Sequence, residues 1–334
     1  MNKCAELSLC EFLRDSALAD KVTVKLGNLL NGGAIQENRA ITVTIDGGDF
    51  AGTKEMVLRT EASTTVPESR LLEQQFTLLK VANAAGVKVP TPYWYCGDPS
   101  ILGKPFYLMQ RLKGEALGIR ITRAGQQPHL AAALGRELAR IHNIQPPQIK
   151  LSFLGAVSES PALDAIAKYR VYLDELPEPH PTLEWTLRWL ENRAPTSCST
   201  VLCHRDFRTG NYLVHKGALT GVLDWEFAGW GDPHEDIGWF CARCWRFSAP
   251  GLEAGGIAGR KVFYNSYETS SGRKLEKKLI AYWETMAHVR WAVIALQQSM
   301  RYRAGGEPSL DLALIGRRLA ELEYECLRLT GVMK

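Results

Sequence analysis

"CHRDFRTGNYLVHKGALTGVLDWEFAGWGDP" spans residues 203–233, and its reading decides the fold. Residues 212–214 and 219–223 are apolar, β-prone runs, and Lys216-Gly217 between them suits a tight turn. That turn sets Asn211 opposite Val222 and puts Asp224 two places further along, a diagonal neighbour at roughly 7–8 Å. An amide oxygen and a carboxylate at that separation, with phosphate oxygens and water, suit Mg²⁺. Asp206 lies five residues before Asn211, in a stretch with Gly and polar residues and no clear period, which reads as a loop. A loop carboxylate beside a metal-holding hairpin can take the proton of a hydroxyl group. Phosphoryl transfer needs those parts: a clamp on the phosphates and an oriented nucleophile.

Upstream of this segment the chain divides into two patterns. Residues 24–30, 40–46 and 55–60 read as strands, and 68–86 as a helix with Leu72, Phe76 and Leu79 at helical spacing. Two more strands follow, around 92–98 and 105–112, joined by a Gly/Pro turn. That turn, "GDPSILGKP" (97–105), superficially suggests a phosphate-binding loop. Five residues separate Gly97 from Gly103, however, and Pro105 stands where a hydroxyl would have to meet Mg²⁺, so it reads as a hairpin turn. From residue 128 the pattern is helical, over 129–144, 162–176, 182–193, 258–269, 274–303 and 309–330. The shift near residue 110 divides a sheet-rich region, 1–109, from a helical one, 110–334.

The bulk numbers narrow the function classes. The chain has 334 residues, 46% hydrophobic and 23% charged, which is ordinary for a globular protein. Its apolar runs fall far short of the roughly 20 residues a membrane helix needs, which argues against a membrane protein. The net charge of +4 comes from scattered basic residues, so no nucleic-acid footprint is evident. Eight cysteines without regular spacing suggest reduced thiols and a cytoplasmic location. Glu6, Glu11 and Asp15 interrupt the apolar residues of the N-terminal stretch, which reads as an amphipathic surface helix rather than a secretory signal. Cys241 and Cys244 form one C-x-x-C pair without a second, which favours core packing over zinc.

His204-Arg205-Asp206, then Asn211, then Asp224-Trp225-Glu226 resembles the catalytic core of the protein-kinase-like fold, and more closely the aminoglycoside phosphotransferase and choline kinase branch. The likeness runs from about residue 24 to 303 and is strongest over 203–240. It implies an α+β, two-lobed architecture: a small antiparallel-sheet N-lobe with one main helix, and a larger, mostly helical C-lobe. It further implies Asp206 as catalytic base, Asn211 and Asp224 as ligands of the nucleotide's Mg²⁺, and His204 as the residue that keeps the catalytic loop in shape. Asp236 would support that loop from behind. Asp232-Pro233-x-Glu235 resembles a capping box with Pro at the first helical position.

In such a lobe, Gly32 and Gly33 would let backbone amides approach phosphate oxygens. Arg59 ends the third strand where the broader fold usually has lysine, and its planar fork can still pair the phosphates. Its acidic partner is left open between Glu73 and Gln75. Backbone groups near Gln110 and Leu112 would meet the purine; ATP and GTP are both compatible.

Seven residues separate Asp224 from Asp232, too few for a peptide platform. The expected acceptor is therefore a small hydroxyl-bearing molecule, held against the tryptophan-rich helical lobe. The alternative is a catalytically inactive nucleotide-binding regulatory relative. A metal-dependent hydrolase would need more clustered ligands than seven scattered histidines provide.

Overall fold

In the computed structural model, residues 3–30, 36–61, 68–196, 199–305 and 310–333 are described. The chain opens with α1 (Lys3–Ala17), then the antiparallel strands β1 (Lys21–Leu29), β2 (Gln36–Asp46) and β3 (Gly52–Glu61). Helix α2 (Leu72–Ala84), strand β4 (Pro92–Cys96), the short helix α3 (Pro99–Leu102) and strand β5 (Phe106–Gln110) complete the first region. The sheet order is β1-β2-β3-β5-β4. The segment expected as a plain hairpin turn contains α3, because the Asp98 carboxylate caps it by accepting from Ser100 N–H at 2.8 Å.

Side chains alternate across a strand, so the two sheet faces bury different sets. Met56 and Leu58 join Val43, Phe106 and Leu108 under α1, where Leu9 and Leu13 are buried. Val57, Tyr107 and Met109 turn to the other face and pack with Leu72, Phe76 and Leu79 of α2. Each fully buried aliphatic side chain contributes about 1.5–3 kcal/mol. The same alternation gives Arg59 the face of Val57, toward the second region.

That region is mostly helical: α4 (Gly118–Arg123), α5 (Pro128–His142), α6 (Pro161–Asp174) and α7 (Pro181–Glu191), then strands β6 (Val201–Cys203), β7 (Tyr212–His215), β8 (Ala218–Val222) and β9 (Gly229–Gly231). Helices α8 (Pro233–Cys241), α9 (Arg260–Ser271), α10 (Lys277–Arg303), α11 (Leu310–Gly316) and α12 (Leu319–Leu329) follow. The single helix expected over 309–330 is two helices, α11 and α12. Beyond the cluster under α1, the core has two layers. One joins α2, α5, α9 and the β7–β8 hairpin; the other joins α6, α7, α10 and α12. Helix α8 belongs to both, with Phe240 in the first and Trp239 in the second. Gly238 permits its close crossing with α10, since a Cβ there would sit 2.6 Å from the Trp283 carbonyl carbon. No helix among the described residues is long and apolar enough to cross a membrane.

Candidate functional site

The hairpin forms at the expected turn, with Lys216 at φ 50° and Gly217 at φ 76°, the positive pair that suits strand twist. Its register differs from the expected one. Val214 pairs with Leu219 but Leu213 pairs with Gly221, so Thr220 is an extra residue on β8. The Thr220 hydroxyl lies within hydrogen-bonding reach of two carbonyls, Lys113 O at 2.9 Å and Leu213 O at 3.2 Å. The bulge moves Asn211 from Val222 to Leu223, whose N–H donates to Asn211 O at 2.8 Å. Asp224 is then the next residue rather than two places along. It adopts φ 58°, a left-handed conformation that Asp tolerates better than most residues.

The loop before the hairpin is held by a buried truss. The Asp236 carboxylate, 0% exposed on α8, accepts from His204 N–H at 2.6 Å and Arg205 N–H at 2.7 Å. Arg205 has φ 62°, a conformation that costs about 1–3 kcal/mol and persists only where surroundings over-determine it. Those two bonds supply the constraint. His142 Nε2 lies 3.2 Å from Asp236, and its Nδ1 lies 2.8 Å from the Tyr267 hydroxyl. Burial acts to raise the Asp236 carboxyl, but the His142 hydrogen bond and the backbone donors outweigh it, and the group sits below the ordinary carboxylate range. Burial, against the pull of Asp236, holds His142 below its ordinary value. Cys203 stands beside this pair, and burial pushes its thiol well up. His142, Cys203 and Asp236 have metal-ligand types, yet both imidazole nitrogens and both carboxylate oxygens are already engaged within the protein. The cluster serves as scaffold.

His204 is fully buried. Its Nδ1 accepts from Asp206 N–H at 3.2 Å and its Nε2 donates to Leu223 O at 2.8 Å. One ring thus ties the loop to the hairpin end, which suits positioning rather than proton transfer. Trp225 packs on that ring at 4.8 Å between centroids.

Asp206 is 9% exposed and receives side-chain donors on both oxygens. Trp239 Nε1 donates to Oδ1 at 2.9 Å and Arg208 Nε to the same atom at 3.1 Å. Asn211 Nδ2 donates to Oδ2, and to the Asp206 carbonyl at 3.0 Å. Because Nδ2 is committed to Asp206, Oδ1 is the Asn211 atom left to face a cation. A carboxylate oxygen can accept twice, so a further hydroxyl can still reach Asp206.

Arg59 crosses between the two regions and pairs with Asp224, its NH1 lying 3.1 Å from Oδ1. Only 5% exposed, it keeps one buried donor, Nε, without a partner among the described residues. Burial acts to lower its pKa, but the anionic groups around it, Asp224 and Glu226 among them, outweigh that. Neither candidate on α2 supplies the partner. Glu73 is exposed, and Gln75, though buried, donates through Nε2 to Arg70 O at 2.7 Å. Glu226 is the nearby acid instead. Burial, opposed by Arg59 and reinforced by Asp224, pushes its carboxyl up to about 7, and Ser69 donates to it at 3.0 Å.

Gly32 and Gly33 lie outside the described residues. Gln110 ends β5 and its N–H donates to Thr91 O at 2.8 Å. The Leu112 side chain fills the space above Gly221, where a Cβ would meet Leu112 Cδ1 at 2.4 Å. Asp232 caps α8 by accepting from His234 N–H at 2.8 Å, but Glu235 does not close a capping box; it faces Arg205 at 3.5 Å. The structure thus brings His204, Asp206 and Asn211 together around the hairpin and joins Arg59 to Asp224. The sequence offers Trp239 only as one of several tryptophans of the acceptor lobe and does not single out Arg208; their contacts with Asp206 come from the structure. A tryptophan six residues past a cap-Pro carries no local mark of its partner.

The architecture is a protein-kinase-like fold with acidic and amide groups at the junction of its lobes. The model of the phosphotransferase enzyme family (APH) matches residues 29–267, and the chain belongs to that family. Mouse acyl-CoA dehydrogenase family member 10 is 30% identical over 194 residues, covering 56% of this chain and 18% of that protein. Human acyl-CoA dehydrogenase family member 11 is 23% identical over 288 residues, covering 79% of this chain and 36% of that protein. The chain therefore spans well under half the length of these curated relatives. A Ralstonia eutropha protein provisionally described as an aminoglycoside phosphotransferase superposes with TM-score 0.79 at 20% identity, covering 98% of both chains. The spectinomycin phosphotransferase APH(9)-Ia, in complex with ADP and spectinomycin, gives 0.63 at 13% identity over 95% of this chain and 97% of that one. Plasmodium vivax ethanolamine kinase gives 0.59 at 16%, over 90% and 81%. At these identities the likeness shows the fold.

Proposed function

We propose that the chain is a Mg²⁺-dependent kinase that moves the γ-phosphate of ATP or GTP to a hydroxyl of a small molecule. The observation that carries this reading is the cluster at the hairpin: Asp206 oriented by Trp239, Arg208 and Asn211, with Asp224 following Leu223, whose N–H donates to Asn211 O. Relatives described in complex with ADP and with GDP support a nucleotide there.

The acceptor hydroxyl donates to an Asp206 oxygen. As its oxygen bonds to the γ-phosphorus, its proton passes to that carboxylate, and the bond from phosphorus to the β–γ bridging oxygen breaks to release the diphosphate. Trp239 and Arg208 fix the carboxylate, so little reorganisation is needed. Asn211 Oδ1 and the Asp224 carboxylate, both hard oxygen donors, would hold Mg²⁺, which neutralises phosphate charge when bound. Arg59, with Nε unpartnered, has a donor free for a phosphate oxygen.

Asp224→Ala is expected to lower Mg²⁺-dependent nucleotide consumption by about a hundredfold or more. Turnover equal to that of the parent chain would contradict the metal assignment. One observation favours the inactive-relative reading: Arg59 takes Asp224, not an α2 residue, as its partner. Acceptor-free nucleotide hydrolysis in the parent chain, with Mg²⁺ present, separates the two.

A further inference from the structure

A cleft of about 640 Å³ opens beside the catalytic loop, between the start of α2, helix α6, the segment before α8, and α10. Four cationic side chains line it, Arg70, Lys168, Arg205 and Arg290, drawn from four separate stretches of chain. Three acids, Glu68, Asp164 and Glu235, line it too, and among the described residues they form ion pairs with only two of the cations. Glu68 pairs with Lys168 at 3.2 Å and also accepts from the Tyr172 hydroxyl. Glu235 faces Arg205 at 3.5 Å, and Arg205 gives its NH2 to Trp230 O at 2.7 Å.

Arg70 and Arg290 have no carboxylate partner among the described residues. Arg70 Nε donates to Ala228 O at 3.2 Å. Arg290 NH1 donates to Arg205 O at 2.5 Å, and its guanidinium lies 4.4 Å over the Trp239 ring. A carbonyl satisfies a donor without neutralising a charge. The cations therefore work against one another. Burial, and then the charge of Arg205, hold Arg70 below its ordinary value. Lys168 is lowered by burial, with Arg290 and Arg205 acting in the same direction against Glu68. An anion in the cleft would relieve that repulsion.

The cleft also adjoins the reacting groups. Arg205 precedes Asp206 in the chain. The ring under Arg290 is Trp239, whose indole N–H donates to Asp206.

We propose that the acceptor carries an oxyanion, a phosphate ester or a carboxylate, which Arg70 and Arg290 bind while its hydroxyl meets Asp206. The inference rests on the kinase reading above and names the substrate class for it: phosphorylated alcohols or hydroxy acids. A polycationic acceptor would meet like charge on this wall.

Two measurements test it. The first needs no catalysis: inorganic phosphate and acetate are titrated into the nucleotide-free chain by calorimetry. Phosphate is expected to bind, Arg70→Gln and Arg290→Gln each to weaken it about tenfold or more, and Arg14→Gln, on the exposed face of α1, to leave it. Acetate binding lost in the same two variants extends the class to carboxylates. Phosphate binding that is absent, or that Arg70→Gln and Arg290→Gln both leave intact, overturns the proposal. The second compares nucleotide consumption with matched acceptors, glycerol against glycerol 3-phosphate and butane-1,3-diol against 3-hydroxybutyrate. Preference for the anionic member of a pair, lost as KM rises in Arg290→Gln, supports the proposal. Preference for the neutral members overturns it while leaving the kinase reading standing. Phosphate bound in the cleft with Mg²⁺-dependent turnover of no acceptor and no slow hydrolysis overturns the kinase reading, and with it the acceptor assignment.

Discussion

Replacing Asp206 with asparagine is expected to cut acceptor phosphorylation by about a thousandfold, within the range general-base removal usually costs. Two physical effects combine. An amide cannot take the hydroxyl proton. It also presents an NH₂ group where the carboxylate meets donors on both sides: Trp239 and Arg208 at Oδ1, and Asn211 at Oδ2. Whichever way the amide turns, one donor faces another, so the side chain should shift as well as lose its chemistry. The nucleotide contacts assigned to Arg59 and Asp224 do not pass through Asp206, so nucleotide affinity is expected to stay within a few-fold of the parent. The measurement is nucleotide consumption with and without acceptor, beside nucleotide titration. Near-parental turnover would remove Asp206 from the reaction.

Asp236→Ala carries the second large effect, of a different kind. It strips the partner from the His204 and Arg205 N–H groups and from His142 at a site with no solvent exposure. Removing one member of a buried charged network costs on the order of 3–5 kcal/mol. Arg205 would be freed from its left-handed backbone, and Asp206 displaced with it. The expected result is a lower denaturation midpoint together with lost turnover; an unchanged midpoint would falsify the truss.

The parent chain should show the same weakness in acid. The folded Asp236 carboxyl lies below its unfolded value, so its contribution is present above the unfolded pKa and is lost as pH falls. The folded His142 also lies below its unfolded value, near 6.5, so the unfolded chain binds that proton first. Both act in one direction, but Glu226, whose folded carboxyl is pushed up to about 7, takes its proton first in the folded chain and opposes them until pH reaches its unfolded value. The denaturation midpoint should therefore fall once pH drops below about 4, where Glu226 is protonated in both states and Asp236 still loses its charge.

Much of this was legible because period-two alternation and a Lys-Gly turn mark a hairpin within a dozen residues. The lobes were legible for a similar reason, since strand and helix periods differ locally. Register was not. Thr220 looks like any strand threonine, and the one available hint was Gly221 beside it, since a glycine inside a strand often accompanies a bulge. The partner of Arg59 was sought on α2 by analogy of position and lies 165 residues away, on Asp224. No local pattern encodes a pair across two lobes. The cationic cleft escaped for the same reason, since a net charge of +4 says nothing about four cations meeting in space.

Helix α8 has a lasting consequence through its membership of both core layers. Trp239 steadies Asp206 at one edge and packs within the same cluster as Leu322 and Cys326 of α12 at the other. Residues of the outer helices therefore share a mechanical link with the carboxylate proposed as the base. Evolution can retune the rate of such a protein from its outer shell, by small changes of volume there, while every group that touches the reactants stays as it is.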